Sequence, residues 1–478
     1  MNKKIDRLVD AIISRVKVNL AERNLDAGRY VNHLIPEESF SVYYALYAVT
    51  PEHPPRLNIR EAALAGTYFL GRCEVARSIL YKCDVRGDEL KRKGQVVAVA
   101  GEQIRLFDDE KIDIRYSFLV KTLVHNHSHD LNALDCFRIH NTVALHYANI
   151  HGAPVEGCFL EPFSTVDLCN ARNSYFGCYA YVQAGDIAHE RIEAGRVWVR
   201  STGLFEFDYT HPAGALKHYI SLDDEGRPKG LFLDFHLSHK EAFDPIYNQA
   251  CPQPEVEGDE RAFVSPYAVV KGSRVEANVL IAQGAYVENS ILGHGSNAQE
   301  NCAIIDSTYA GECVTAHGGK VIRADIGRHV FVGFNSYVAG KADFRVKIGC
   351  GCIVMPHTIL DAEEPIEIPE GSLVWGYIRK KRDLETNTMP LDELTQFSGT
   401  LTRGSMYFIG EGEAFVNAFR HRIEHILEEN GAMFDGSVAT RGHAQRTRNV
   451  SFNIIQPYRD GEFKGICPRL IVEPPIPT

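Results

Sequence analysis

Ile326-Gly-Arg-His-Val-Phe-Val332-Gly-Phe-Asn-Ser-Tyr-Val338-Ala-Gly-Lys-Ala-Asp-Phe344 carries an apolar residue at every sixth position, and Ile348, Val354 and Leu360 repeat the step. Upstream, Phe263, Val269, Val275, Ile281 and Val287 keep the same interval. Glycine follows the apolar residue in Leu292-Gly293, Ile326-Gly327, Val332-Gly333 and Ile348-Gly349. A period of six matches neither the 3.6 of a helix nor the 2 of a single strand. It fits a short strand followed by a tight corner, with one aliphatic side chain per side pointing inward and glycine where backbone must pass close. Three such sides make a coil of about 18 residues, and stacked coils form a parallel β-solenoid with an aliphatic core. Between Leu292 and Ile326 the same step runs through Ala298, Ile304, Ala310 and Ala316. The small residues there predict a loosely packed coil or a protruding loop.

The segment resembles the hexapeptide-repeat, left-handed β-helix proteins, which include many bacterial acyltransferases. Its tail, Ile368-Pro-Glu-Gly-Ser-Leu-Val-Trp-Gly376-Tyr-Ile-Arg379, is similar to that family's closing segment, Ile-Pro-x-Gly-Ser-x-Val-x-Gly-Asn-Pro-Ala-Lys. Tyr377-Ile378-Arg379 replaces the Asn-Pro-Ala that lies near coenzyme A in many acetyltransferases. The fold expected is therefore mainly β, a left-handed parallel β-helix of hexapeptide repeats with inserted mixed segments and a small C-terminal α+β appendage. The resemblance implies a homotrimer.

At 478 residues the chain is long enough for about three ordinary domains. The spacing divides it instead into an N-terminal helical segment (1–57), a mixed region (58–257), the β-helix (258–382) and the appendage (383–478). Within the mixed region, Leu160, Val166, Ala171, Phe176, Val182 and Ile187 step by six or five, which marks 155–187 as the strongest candidate for further coils. Leu70, Val75, Leu80 and Val85 form a fainter echo in steps of five. Ile5, Leu8, Val9, Ile12, Ile13, Val16 and Leu20 lie at helical spacing, broken by Asp6, Arg7, Asp10, Arg15 and Lys17. This predicts an amphipathic helix docked on the body rather than a signal sequence. Near the other end, Phe415, Val416, Phe419, Ile423, Ile426 and Leu427 predict a helix ending at Asn430-Gly431.

The formal charge of −11 argues against a nucleic-acid partner. No run of about 18 apolar residues predicts a membrane span. The 12 cysteines show no Cys-x-x-Cys pair, so reduced thiols in the cytoplasm are the expectation, with Cys350 and Cys352 structural.

In the resembled enzymes a histidine takes the proton of the attacking hydroxyl or amine, a task that suits imidazole. The resemblance implies acyl-CoA as co-substrate and a small or sugar-like acceptor. Of four histidines in the repeat, His317 in Thr-Ala-His-Gly-Gly-Lys320 is the leading candidate for the base and His294 the second. His329 and His357 read as corner residues. Lys320 and the basic run Arg441, Arg446 and Arg448 are candidates for holding cofactor phosphate. His125, His127 and His129 alternate, so on a regular strand they would share a face and present three imidazoles to zinc or another divalent ion. His421-Arg-Ile-Glu424-His425 matches a metallopeptidase pattern, but on a short amphipathic helix. A sugar-nucleotide pyrophosphorylase is disfavoured because residues 1–60 hold only Gly28 and so lack a glycine-rich loop. Three functions follow: an acyltransferase, a non-catalytic β-helical scaffold or binding protein, or a metal-dependent lyase or hydrolase using the His125 cluster.

Overall fold

The computed structural model describes residues 3–32, 34–50, 53, 55–99, 102–127, 136–247 and 261–473. It is mainly β, and its coils form left-handed parallel β-helices. The chain separates into two units. The first comprises Met1–Ala194, Leu216–Leu233 and Val450–Thr478, and the second Gly195–Ala215 and Asp234–Asn449.

In the second unit, Val264, Ile281, Ala298, Thr315 and Val332 are successive ladder partners seventeen residues apart. The three sides advance by six, six and five residues, so a strict step of six drifts by one position per coil. Val264 and Val270 therefore face the core, whereas the strict period places Phe263 and Val269 there. Val269 instead points outward against Tyr286, Phe235 and Phe243. The same drift puts Tyr309 and Thr315 inside, where the strict period places Ala310 and Ala316. Tyr309 fills the axis and its hydroxyl lies 2.8 Å from Thr315 Oγ1. The coil between Leu292 and Ile326 is thus well packed. The excursion from the coil comes later: Val332 and its partner Val354 are separated by a longer stretch that includes the turn at Gly340–Arg345.

The glycines after the apolar positions act through close approach. A Cβ on Gly333 would sit 2.4 Å from the backbone nitrogen of Pro356 in the next coil, and one on Gly327 would sit 2.6 Å from that of Cys350. Corners that need left-handed backbone take Asn278, Asn301, Asn335, His329 and His357, and glycine at Gly318. The last coil, through Ser372–Val374, is closed by the antiparallel strand Thr388–Pro390. The antiparallel strands Arg196–Ser201, Phe205–Thr210, Met406–Glu411 and Ser398–Arg403 support the helix Gly412–Glu429, with Phe415 stacked on Phe207.

In the first unit the coil is shorter. Ile150, Val166 and Val182 are partners sixteen residues apart, and the sides advance by five, five and six. Parallel coil strands run through 155–187 and also through 58–90, where Phe69 pairs with Val85 and Leu80 with Leu119. The coils are interrupted by a hairpin of Val96–Val99 and Glu102–Arg105. The helix Lys3–Asn19 docks as expected, burying Ile5, Val9, Ile12, Ile13 and Val16. Its apolar face covers an outward column of ladder partners, Ile79, Phe118, Val143, Phe159 and Tyr175. The chain returns at its end, where Ser451–Ile455 pairs with Ala45–Val49 and Cys467–Val472 with Leu57–Ala62.

Candidate functional site

In the second unit, Glu300 and His317 occupy the same corner in consecutive coils, each two residues beyond a core-facing ladder residue (Ala298 and Thr315). His317 Nδ1 lies 2.8 Å from Glu300 Oε2, a charge contact rather than an in-line hydrogen bond. The imidazole is 2% exposed and its ring stands 5.2 Å from that of Phe334, one coil further on. A carboxylate at this distance favours the imidazolium and orients the ring. Two glycines later, Lys320 opens the strand Lys320–Ile322, and its neighbour Val321 takes the inward position. Lys320 is 1% exposed, donates from Nζ to the Gly318 carbonyl at 2.9 Å, and lies 5.8 Å from the Phe235 ring. Burial pushes its ammonium down to about 7. Cys302, held to a neutral thiol by a pKa raised to about 12, is close by. One corner thus brings together a buried imidazole, a carboxylate from the preceding coil and an amine that burial pushes toward neutrality.

The other predicted residues lie elsewhere. His294 sits at a different corner, exposed, with Nε2 3.2 Å from Asn278 Nδ2. His329 and His357 are corner residues with left-handed backbone, as the spacing implies. Arg446 lies 3.6 Å from Glu429, Arg448 donates to the Ala262 carbonyl at 2.9 Å, and Arg441 is exposed. His421 and Glu424 are on the exposed side of their helix.

In the first unit, His125 and His127 lie on the strand Leu123–His127, and His129 lies outside the described residues. The ladder slips between His125 and His127, so the two do not follow the simple alternation that the spacing suggests. The neighbour of His125 is His151, its ladder partner in the next coil, with ring centroids 5.1 Å apart and planes at 77°. Asp167 is the partner of His151 in turn, and its Oδ1 lies 2.8 Å from His151 Nδ1. The Tyr181 hydroxyl donates to the other Asp167 oxygen. Glu300, His151 and Asp167 belong to no local motif. Each stands one coil from its partner, at seventeen or sixteen residues, and the coil length is the signal that finds them.

The chain matches the family model described as hexapeptide repeat including loop over residues 102–224. A crystal structure from Desulfovibrio desulfuricans G20, described as a "putative acetyltransferase", is 45% identical, with a TM-score of 0.92 over 99% of both chains. The chain belongs to the hexapeptide-repeat, left-handed β-helix family. Other matches are partial. The carboxysome assembly protein CcmM of Nostoc sp. is 28% identical over 142 residues, 25% of this chain, and the match spans about a quarter of that relative's length (24%). The GDP-perosamine N-acetyl transferase of Caulobacter crescentus, solved with CoA and GDP-perosamine, is 20% identical over 30% of this chain and 61% of its own, with a TM-score of 0.14. At that score the overlap carries no argument. No helix among the described residues is long and apolar enough to cross a membrane.

Proposed function

We propose that the protein is an acyltransferase that moves an acyl group from a coenzyme A thioester to a hydroxyl or amine of a small or sugar-like acceptor. The observation that carries this reading is the His317–Glu300 pair at a β-helix corner. The 45% identity to the Desulfovibrio protein over its full length supports the class. In the reading, His317 accepts the acceptor's proton as its oxygen or nitrogen attacks the thioester carbonyl. Glu300 stabilises the imidazolium so formed. The C–S bond then breaks, and the imidazolium returns the proton to the departing thiolate, which leaves as a thiol. Lys320 supplies a hydrogen-bond donor beside the base for a thioester or phosphate oxygen, and Arg441 and Arg448 are the exposed groups of the basic run that would meet phosphate. The family resemblance adds a homotrimer, and the unpaired cysteine pattern a cytoplasmic location; light scattering on the purified chain tests the first of these.

Thiol release from acetyl-CoA, followed across a panel of amino and hydroxy sugars and their nucleotide conjugates, tests the activity. His317→Ala is expected to lower kcat by roughly 10²–10⁴-fold. Glu300→Gln is expected to lower it by less and to shift the acidic limb of the pH profile. Full activity in His317→Ala would remove the base assignment. If neither CoA nor acyl-CoAs shift thermal unfolding, where a ligand at 100 times its Kd stabilises by about 2.7 kcal/mol, the class itself fails and a binding scaffold takes its place.

A further inference from the structure

We infer that the first unit carries a divalent-metal site built on His125 and His151, with Asp167 as the group that sets the His151 ring. The inference rests on the first unit's own residues and not on the proposed acyl transfer. His125, His151 and Asp167 occupy one column of the parallel ladder, at the same register in three consecutive coils. The coil core beside them is Val124, Ile150 and Val166, so the three polar side chains point away from the axis, yet they are 8%, 5% and 0% exposed. Two buried imidazoles have their ligand nitrogens within 4.8 Å of each other, a separation that one ion with Zn–N bonds of about 2.0–2.1 Å bridges with a small ring rotation.

The second observation is independent of the pair. His151 places Nδ1 2.8 Å from Asp167, which fixes the tautomer with the proton on Nδ1 and leaves Nε2 as the donor of a lone pair. A carboxylate behind a histidine in this way is the usual support of a metal-ligating imidazole. Asp167 is itself held by the Tyr181 hydroxyl, so the ring is set by a chain of two contacts anchored on two further coils. Two neutral nitrogen donors with a carboxylate behind one of them suit zinc, cobalt or nickel rather than calcium or magnesium. The remaining coordination positions would be completed by water or another exchangeable ligand.

The experiment is a metal titration of the full-length chain, stripped with a chelator and dialysed. Co(II) is the probe, because its visible d–d absorption reports nitrogen coordination as well as stoichiometry. About one equivalent per chain is expected, displaced by Zn(II). Asp167→Asn should weaken binding by roughly 10–100-fold while leaving the folded far-UV spectrum, and His151→Ala and His125→Ala should abolish the absorption band. His140→Ala, which removes the half-buried partner of Asp113 outside this column, should leave the titration unchanged. Less than about a tenth of an equivalent in the unmodified chain would overturn the site, as would binding that survives both histidine substitutions. The first of these results is independent of variant folding, because the unmodified chain alone decides it.

Discussion

Lys320 makes the second unit's stability depend on pH in a calculable way. Its ammonium is desolvated, and burial moves it from 10.5 down to about 7. A gap of this size corresponds to about 5 kcal/mol of differential interaction at 1.36 kcal/mol per pK unit. Below pH 7 both folded and unfolded chains carry the charge, so the full penalty acts. Above pH 7 the folded chain releases the proton while the unfolded chain keeps it until 10.5. The unfolded state then binds more protons, and stability rises with pH by about 1.4 kcal/mol per unit. Between pH 6 and pH 8.5 this contributes about 2 kcal/mol.

Lys320→Met removes the titrating group and keeps most of the buried stem. It also removes the hydrogen bond to Gly318, worth about 1–2 kcal/mol. The variant should therefore be about 3 kcal/mol more stable than the parent at pH 6 and about 1 kcal/mol more stable at pH 8.5. Both tryptophans of the chain, Trp198 and Trp375, lie in the second unit, so urea unfolding followed by tryptophan fluorescence reports that unit alone. All other ionisable groups are shared by the two proteins, so the difference between the two pH curves isolates Lys320. Parallel curves for parent and variant would refute the reasoning, because they would mean that the amine is not desolvated in the folded state.

Two further substitutions probe the packing. Gly333→Ala places a Cβ 2.4 Å from the Pro356 backbone, which has no flexible end to move, and should cost at least about 2 kcal/mol. Gly351→Ala, at a φ of +65° with open space around it, should cost only about 1 kcal/mol, and equal losses in chemical denaturation would argue against close coil approach as the reason for the first glycine. Tyr309→Phe leaves Thr315 Oγ1 without its partner on the solenoid axis and should lower stability by about 1–3 kcal/mol in the same assay. No change there would mean that the hydroxyl pair is dispensable.

The second unit's helix is legible in the sequence because two of its three sides advance by six, so long runs obey one period. What the period misses, such as Val270 in place of Val269, comes from the five-residue third side, which shifts every later register by one. The first unit is harder to see for two physical reasons. Two of its sides advance by five, close enough to ordinary apolar spacing to pass as chance, and the hairpin at 96–105 separates strands that pair directly in space. Leu70 in the faint echo shows the cost: the core position is Phe69, which pairs with Val85 and stands on the side before Val75. The helix Lys3–Asn19 is legible because its amphipathic stripe is local and needs no knowledge of the surface it covers.

The site obeys a different rule, in which the useful distance is the length of one coil. Seventeen residues before His317 stands Glu300, and sixteen after His151 stands Asp167, so both pairs are invisible to any local motif. The same step also separates His317 from the other histidines of the repeat. One coil before His294 stands Ala277, and the amide of the next residue, Asn278, serves the carbonyls of Ala432 and Phe434. One coil before His329 stands Glu312, already held by Arg328 at 3.1 Å on an exposed corner. The backbone oxygen of His357 is 2.7 Å from His211 Nε2, a contact that belongs to the packing of Tyr209 and His211 on that corner. At His317 a buried imidazole meets a buried carboxylate, with an amine of depressed pKa three residues on. A buried carboxylate at coil spacing, rather than the presence of a histidine at a corner, is what singles out a candidate base on this fold.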